Sequence, residues 1–468
     1  MTPTTPPAST LGFAALFSVA IGVIVAQSTI VSLLQAVGIA GWGFIGAMGV
    51  GYGLMLCNSA TYAELALMMP RAGGVSAYCD AGLGPLAAIF AVFAGYVVPA
   101  LFGPAAELLL VGAVLDLVLP GALPAMAWAG LLLAVLVALN LRGTDVFARV
   151  QTVLTFTMLV ALVLTGAWAL MGAPGGVVAT AATPGSASAA ATGWAAMGQQ
   201  TTVFGVVALV MYSLVGTEFV TPLTRLAHQP KRNVPRAMFW GLTVVALVNL
   251  LFCLGAVRAV GREALSTSAL PHLDVALAVF GPGVKLVFAA VVITATASLL
   301  NTVLAAVPRM LQEMAEHGQA FPMFRHLNRY GVPWVATLFV AGLPLVGLLW
   351  AAGDMGRILP LLVAAASAWL CSYMVAHGAL MALRWRAPQA ARPWVSPLYP
   401  APQVLAVLGM AYVIANASPT PEMAGPVFAA LAGVLGLVLA IGTLWVRLVL
   451  RRPLFKALGL TVAKAQVV

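Results

Sequence analysis

Unbroken apolar runs such as Leu131–Leu139 and Leu286–Ile293 recur along the chain, bounded by glycine, proline and small clusters of charge. As a helix, a run of about 20 such residues crosses a hydrocarbon layer roughly 30 Å thick. Within that layer every backbone polar group must be bonded internally, so only helices and closed barrels can span it. A barrel would show segments of about 10 residues alternating apolar and polar, and these runs do not alternate. Composition agrees: 62% of the residues are hydrophobic and 7% charged, against about 25% charged in a soluble domain. The sequence therefore predicts an all-α polytopic membrane protein of about twelve spans, over 12–38, 42–69, 84–117, 124–140, 147–172, 199–226, 236–258, 284–316, 333–352, 357–386, 402–417 and 424–450.

The net charge of +10 does not point to nucleic acid, because the basic residues lie in short clusters between apolar runs and form no single face. They read instead as topology signals. With the N-terminus placed in the cytoplasm, all 22 Lys and Arg residues fall inside except Arg258, Arg262, Lys285 and Arg357, the asymmetry expected of an even number of spans. Cys57, Cys79, Cys253 and Cys371 show no C-x-x-C spacing, which argues for buried thiols over a metal site or disulfide framework. The first apolar run is longer than a signal-peptide core and lacks a basic leader, so it reads as a retained helix. The longest polar interruption, 172–198, is an uncharged loop on the external side, and 227–236 and 316–333 read as short connectors on the inner one.

Two spans are interrupted. The first carries Gly22-Val-Ile-Val-Ala-Gln-Ser-Thr29 and the sixth Tyr212-Ser-Leu-Val-Gly-Thr-Glu218, five helices apart. Broken helices at matching places in two halves mark transporter sites, since unwound backbone offers free N–H and C=O groups; small residues also serve tight helix packing. Glu218 adds weight to the first reading, because a carboxylate inside a span costs at least about 2.5 kcal/mol and usually marks a pathway, a proton relay or a buried pair. A structural hydrogen bond is its alternative role. Glu107, in Pro104-Ala-Ala-Glu-Leu108, is the other intramembrane acid; its small neighbours favour a hydrogen bond to an adjacent helix. His377, one turn after Tyr373, either relays protons or bonds a backbone carbonyl, and a lone histidine leans to the second.

Several stretches resemble the amino acid, polyamine and organocation permease superfamily, of amino acid permease type. These are Ala63-Glu-Leu-Ala-Leu-Met-Met-Pro-Arg-Ala-Gly-Gly74 with Tyr78 and Gly82-Leu-Gly-Pro85; Gly216-Thr-Glu218 with Gln229-Pro-Lys-Arg-Asn-Val-Pro-Arg-Ala237; and Ser298-Leu-Leu-Asn301, Arg309, Met314-Ala315, Gly318 and Gly331-Val-Pro333. The resemblance implies the leucine-transporter-like fold, with a 5+5 inverted repeat plus two added helices. It divides the chain into an N-terminal cytoplasmic segment (1–11), a first repeat (12–172), an external loop (173–198), a second repeat (199–386), two added helices (387–450) and a cytoplasmic tail (451–468). It also implies a substrate site at Val25, Ala26, Gln27, Ser28, Tyr96, Tyr212, Val215, Gly216, Thr217, Ser298 and Asn301, with Glu218 in proton coupling. The sequence departs from the pattern twice. Ala26-Gln27-Ser28 stands where the family usually has Gly-x-Gly, and Met158 stands where many proton-coupled members carry a lysine.

The expected function is secondary transport of an amino acid or related small amine across a plasma membrane, that of a bacterium by composition, by alternating access and with proton coupling or exchange. The expected partners are the small-molecule substrate, the lipid bilayer and protons, with no nucleic acid, cofactor, metal or catalytic residue. Carriage of polyamines or other organic cations is the alternative within transport. Outside it stand a solute sensor and a membrane transferase, for which Glu313, Glu316 and His317 form the one acid-and-histidine cluster; these read as a solvated helix end.

Overall fold

The computed structural model describes residues 11–70, 74–172, 200–268, 270–351, 355–418 and 421–459. The expected external loop 173–198, Arg71 and Lys464 lie outside them. The helices in chain order are α1 (Phe13–Gly22), α2 (Gln27–Ala40), α3 (Gly43–Met68), α4 (Val75–Gly82), α5 (Pro85–Val92), α6 (Val98–Val118), α7 (Ala125–Asn140), α8 (Thr144–Met171), α9 (Gln200–Tyr212), α10 (Pro230–Val260), α11 (Arg262–Thr267), α12 (Pro271–Phe280), α13 (Lys285–Glu316), α14 (Trp334–Ala351), α15 (Met355–Arg386), α16 (Ala401–Ala415) and α17 (Pro421–Trp445). Among the described residues, eight helical stretches are long and apolar enough to cross a membrane, and α1 with α2, bent by 60° at a short break, makes a ninth. Helices α3, α7 and α16 stand at the remaining expected spans.

Local chemistry explains most boundaries. Proline at the first helical position starts α5, α10 and α12, where its missing N–H would have had no helical partner. The seventh span was expected from residue 236, yet α10 begins at Pro230, so the basic Lys231, Arg232 and Arg236 belong to its first turns. Between α5 and α6 a π-helical turn, Phe93–Val97, bulges the third span. Ser372 of α15 donates to the Ala91 carbonyl there at 2.7 Å, and Gly95 leaves no room for a Cβ against that serine. One extra residue in a turn re-aims the side chains that follow it, and here it turns Tyr96 into the centre of the molecule.

Close helix approach depends on small residues. The backbones of α8 and α10 meet at Gly166 and Gly255, where a Cβ on Gly255 would lie 2.5 Å from the Gly166 carbonyl oxygen. Such contacts let dispersion and packing hold helices together where lipid removes the hydrophobic advantage.

The end of the molecule carrying residue 11 is tied by charge. Glu64, fully buried at the close of α3, accepts from Arg384 Nε at 2.9 Å and from the Ser396 amide at 2.7 Å, and its other ion pair is Arg392 at 3.3 Å. Asp80 of α4 accepts both Arg452 terminal nitrogens at 3.0 Å and Gln319 Nε2 at 2.7 Å. Leu11 pairs with the chain after the sixth span, its amide on the Leu226 carbonyl at 3.0 Å. Nearby, Glu313 is buried and only Glu316 is exposed. The expected solvated acid cluster is therefore split across the helix, because residue 313 falls on the packed side of α13.

Breaking a buried ion cluster leaves uncompensated charge and costs about 3–5 kcal/mol. Glu64→Ala is accordingly expected to lower the unfolding midpoint of detergent-solubilised protein by an amount of that order. An unchanged midpoint would show that the cluster does not hold α3 to α15.

Candidate functional site

The site grows from the break in the first span. Helix α1 ends at Gly22, a position where a Cβ would strike the Gln151 and Thr302 side chains. The freed Gly22 carbonyl accepts from Ser298 Oγ at 3.1 Å, and the Ser18 carbonyl from Gln151 Nε2 at 3.3 Å. On the far side, the Ala26 amide donates to Thr29 Oγ1 at 3.1 Å, and that hydroxyl donates to the Ile24 carbonyl at 2.7 Å. The first free amides of α2 go to Glu107 of α6. Gln27 N donates to Oε2 at 3.1 Å and Ser28 N to Oε1 at 2.6 Å, while Thr296 Oγ1 adds a bond to Oε2 at 2.8 Å. A carboxylate at a helix N-terminus answers both the unpaired N–H groups and the positive end of the dipole.

The sixth span breaks after Tyr212. Gly216 adopts φ 136°, where a side chain would be strained, and leads into a 3-10 stretch, Thr217–Leu226, that contains Pro222. The breaks press against each other: a Cβ on Gly216 would lie 3.1 Å from Val23 and 3.3 Å from Ile24. Thr217 Oγ1 and Ser59 Oγ are 3.0 Å apart, which ties the turn to α3. Glu218, fully buried, faces the Tyr373 hydroxyl and the Trp369 indole N–H, yet neither carboxylate oxygen closes a hydrogen bond. Aromatic rings surround it in a chain of edge and tilted contacts: Tyr62 to Tyr373 at 5.5 Å, Trp369 to Tyr373 at 6.3 Å, Phe219 to Trp369 at 5.7 Å and Tyr96 to Phe219 at 5.5 Å between centroids.

Between the two breaks lies a narrow central cavity with about 30 Å³ of free space, lined by Val23, Tyr96, Tyr212, Phe219, Leu299 and Trp369 among others. That is room for about one water. A second cavity of about 280 Å³ shares Tyr212, Val215 and Trp369 with it and runs past Ser32 and Gln35 to Ile39 and Met423, at the end opposite the ion clusters. Leu362 and Ala366 also line both, so these five residues, with Tyr212 and Trp369 the largest, stand between an inner chamber and an outer vestibule. A third, apolar cavity of about 590 Å³ opens between α8 and α13, with Gln27, Met158 and His272 in its wall. Gln27 Nε2 and His272 Nε2 are 2.9 Å apart, so the α11–α12 hairpin reaches down to the first break.

The expected site residues divide into groups. Tyr96, Tyr212 and Val215 line the central cavity. Val25 and Ala26 are buried backbone of the first break, Gly216 and Thr217 form the second, and Ser28 Oγ lies 3.4 Å from the Tyr212 hydroxyl. Gln27 faces the lateral cavity instead. Helix α13 turns Leu299 and Val303 to the central cavity, and its polar residues serve structure: Asn301 accepts from Asn140 Nδ2 at 2.8 Å and donates to Gln151 Oε1 at 2.9 Å, while Ser298 holds the Gly22 carbonyl. His377 bonds Thr61 Oγ1 at 2.9 Å, away from both breaks. Sequence reasoning missed Phe219, Trp369 and Tyr373; the four-residue spacing of the last two on one face of α15 is the signal that could have found them. Glu107 does bond an adjacent helix, but through the helix end at the break.

Asn301→Ala leaves the Gln151 side-chain carbonyl unpaired at membrane depth and removes one of the two acceptors of Asn140 Nδ2, which keeps the Leu136 carbonyl. An expected loss of about 1–3 kcal/mol follows, readable as a lower melting temperature of the purified protein.

Residues 11–447 match the protein family described as amino acid permease. The serine/threonine exchanger SteT of Bacillus subtilis is 27% identical over 396 residues, covering 79% of this chain and 82% of that protein. The γ-aminobutyric acid permease of Escherichia coli is 25% identical over 152 residues, a match that spans 30% of either chain. Among solved structures, Mhp1, a nucleobase-cation-symport-1 family transporter in a closed conformation with bromovinylhydantoin bound, superposes with a TM-score of 0.57 at 16% identity over 99% of this chain and 98% of its own. A manganese transporter from Eremococcus coleocola gives 0.59 at 11% identity over 100% and 99%. Both likenesses concern the fold. Among the described residues no three His, Cys, Asp or Glu side chains gather as a metal site would require.

Proposed function

We propose that this chain, which belongs to the amino acid permease family, carries an amino acid or related small amine through the cavity between its two broken helices. It is a multi-pass membrane protein with the leucine-transporter-like fold, and a secondary transporter, not an enzyme. The substrate, the coupling and the orientation are the proposal.

The observation that carries it is the meeting of two interrupted helices at a buried chamber walled by aromatic rings, with one unpaired carboxylate beside it. A chamber separated from a vestibule by a thin layer of side chains, in a molecule whose opposite end is tied by ion clusters, suits alternating access, in which the repeats rock about a fixed midplane site. The cluster-bearing end is assigned to the cytoplasm, since positive residues concentrate there. With bacterial relatives, the membrane is taken as the bacterial inner membrane.

Coupling follows from Glu218. A buried carboxylate without a cationic partner suits a proton that binds and leaves with the conformational cycle. Exchange of one solute for another is the second reading, favoured by Met158, an uncharged residue in the wall beside Gln27.

Reconstituted protein is expected to show saturable counterflow of a small amine or amino acid in proteoliposomes. Glu218→Gln should lower it by about tenfold or more, near 1.4 kcal/mol of lost stabilisation. Counterflow as strong in the variant as in the unaltered protein would remove Glu218 from the mechanism.

A further inference from the structure

We propose that Glu107 is a built-in stand-in for a substrate carboxylate, so that this site selects a small primary amine without an α-carboxylate over the corresponding amino acid. The inference rests on the transport reading above and deepens it by naming the substrate class.

The free N-terminus of a broken helix is the natural place for an anionic substrate group, because unpaired amides and the dipole converge on it. In this chain that place is filled from within. Glu107, fully buried, takes the Gln27 and Ser28 amides on separate oxygens and is held in that pose by Thr296. No free amide pair remains for a second carboxylate at the start of α2. The side chains of Gln27 and Ser28 crowd the same turn, one held to His272 and the other beside the Tyr212 hydroxyl.

Along the route only neutral donors, such as Ser32, Gln35 and Ser367, could meet an anion. Among the described residues lining the central cavity and the outer vestibule there is no Lys, Arg or His. A carboxylate entering the chamber would be stripped of water without a countercharge, with Glu218 behind the lining residue Phe219. Burying an unpaired charge is strongly unfavourable, and like charges add to the penalty. A cation meets the opposite conditions. Glu218 has two unpartnered oxygens, and the rings of Tyr96, Phe219, Trp369 and Tyr373 stand around it. Ammonium groups are attracted to the faces of such rings and to a desolvated carboxylate. The chamber wall of Val23, Leu299 and Val303 is apolar and makes no demand for a second polar group, and the chamber must widen from its about 30 Å³ to admit the body of the amine.

The test uses the full chain and matched pairs of probes, phenethylamine with phenylalanine and isoamylamine with leucine, in thermal-shift and counterflow measurements. For the unaltered protein each amine is expected to bind at least about tenfold more tightly than its amino acid, a difference near 1.4 kcal/mol. Glu107→Ala, which frees the two amides, should narrow or reverse the preference. Glu107→Gln, which keeps the size and one acceptor, should weaken it while retaining the folded, melting protein. Preference of the unaltered protein for either amino acid overturns the inference and leaves the transport reading standing. So does amine preference left untouched by both variants, since Glu107 would then have no part in selectivity. Absence of saturable counterflow for both members of every pair defeats the transport reading and this inference with it.

Discussion

Backbone left unpaired inside a membrane has no water to turn to, and the organisation of this protein follows from how two helix breaks meet that demand. The first break exposes carbonyls at the end of α1 and amides at the start of α2. Ser298 and Gln151 take the carbonyls, Thr29 closes the turn on itself, and Glu107 takes the amides. Each of these partners comes from a different helix except Thr29, so the break is also the hub at which α2, α6, α8 and α13 are fixed relative to one another. An unsatisfied group at this depth costs several kcal/mol, which makes the hub a condition of folding.

The second break is sealed by shape. Gly216 fits against Val23 and Ile24 with no space for a Cβ, and its positive φ allows the chain to pass directly into the Thr217–Leu226 turn. The two breaks are packed directly against each other at Gly216, Val23 and Ile24. The same geometry leaves Glu218 facing aromatic rings without a hydrogen bond. A buried intramembrane carboxylate of this kind is costly, and it is the feature on which the proposed coupling rests.

The two ends of the molecule are built on different principles. At the end carrying residue 11, buried ion clusters centred on Glu64 and Asp80 bind α3, α4, α15 and the segment after α17 into one block. At the opposite end the α11–α12 hairpin closes over α2 through packing, with the Gln27 and His272 pair at its tip. Charge-assisted bonds are strong and directional where they are buried, and packing contacts slide more readily. Under the proposed alternating access, a barrier that opens on each cycle is more easily built from contacts like those of Tyr212 and Trp369 than from a multiply bonded arginine cluster.

The membrane class, the succession of apolar spans and the two interrupted stretches were determined by the sequence alone. Hydrophobicity, charge asymmetry and the small residues at 22–29 and 212–218 are local properties that no folded context is needed to read. Glu218 was legible for the same reason, since a carboxylate in an apolar run is conspicuous wherever it ends up. The tertiary structure alone decided which polar residues face the cavity and which face the scaffold. Ser298 and Asn301 lie on the packed side of α13, a matter of helix rotation that sequence spacing leaves open. The π turn at Phe93–Val97 re-aimed Tyr96, and Trp369 and Tyr373 reached Glu218 from a helix distant in the chain. Glu107 is the clearest case. Its presence in a span was visible, but its pairing with two amides 79 and 80 residues away exists only because folding brings α6 to the end of α2, where an unpaired helix terminus supplies the charge that a buried carboxylate needs.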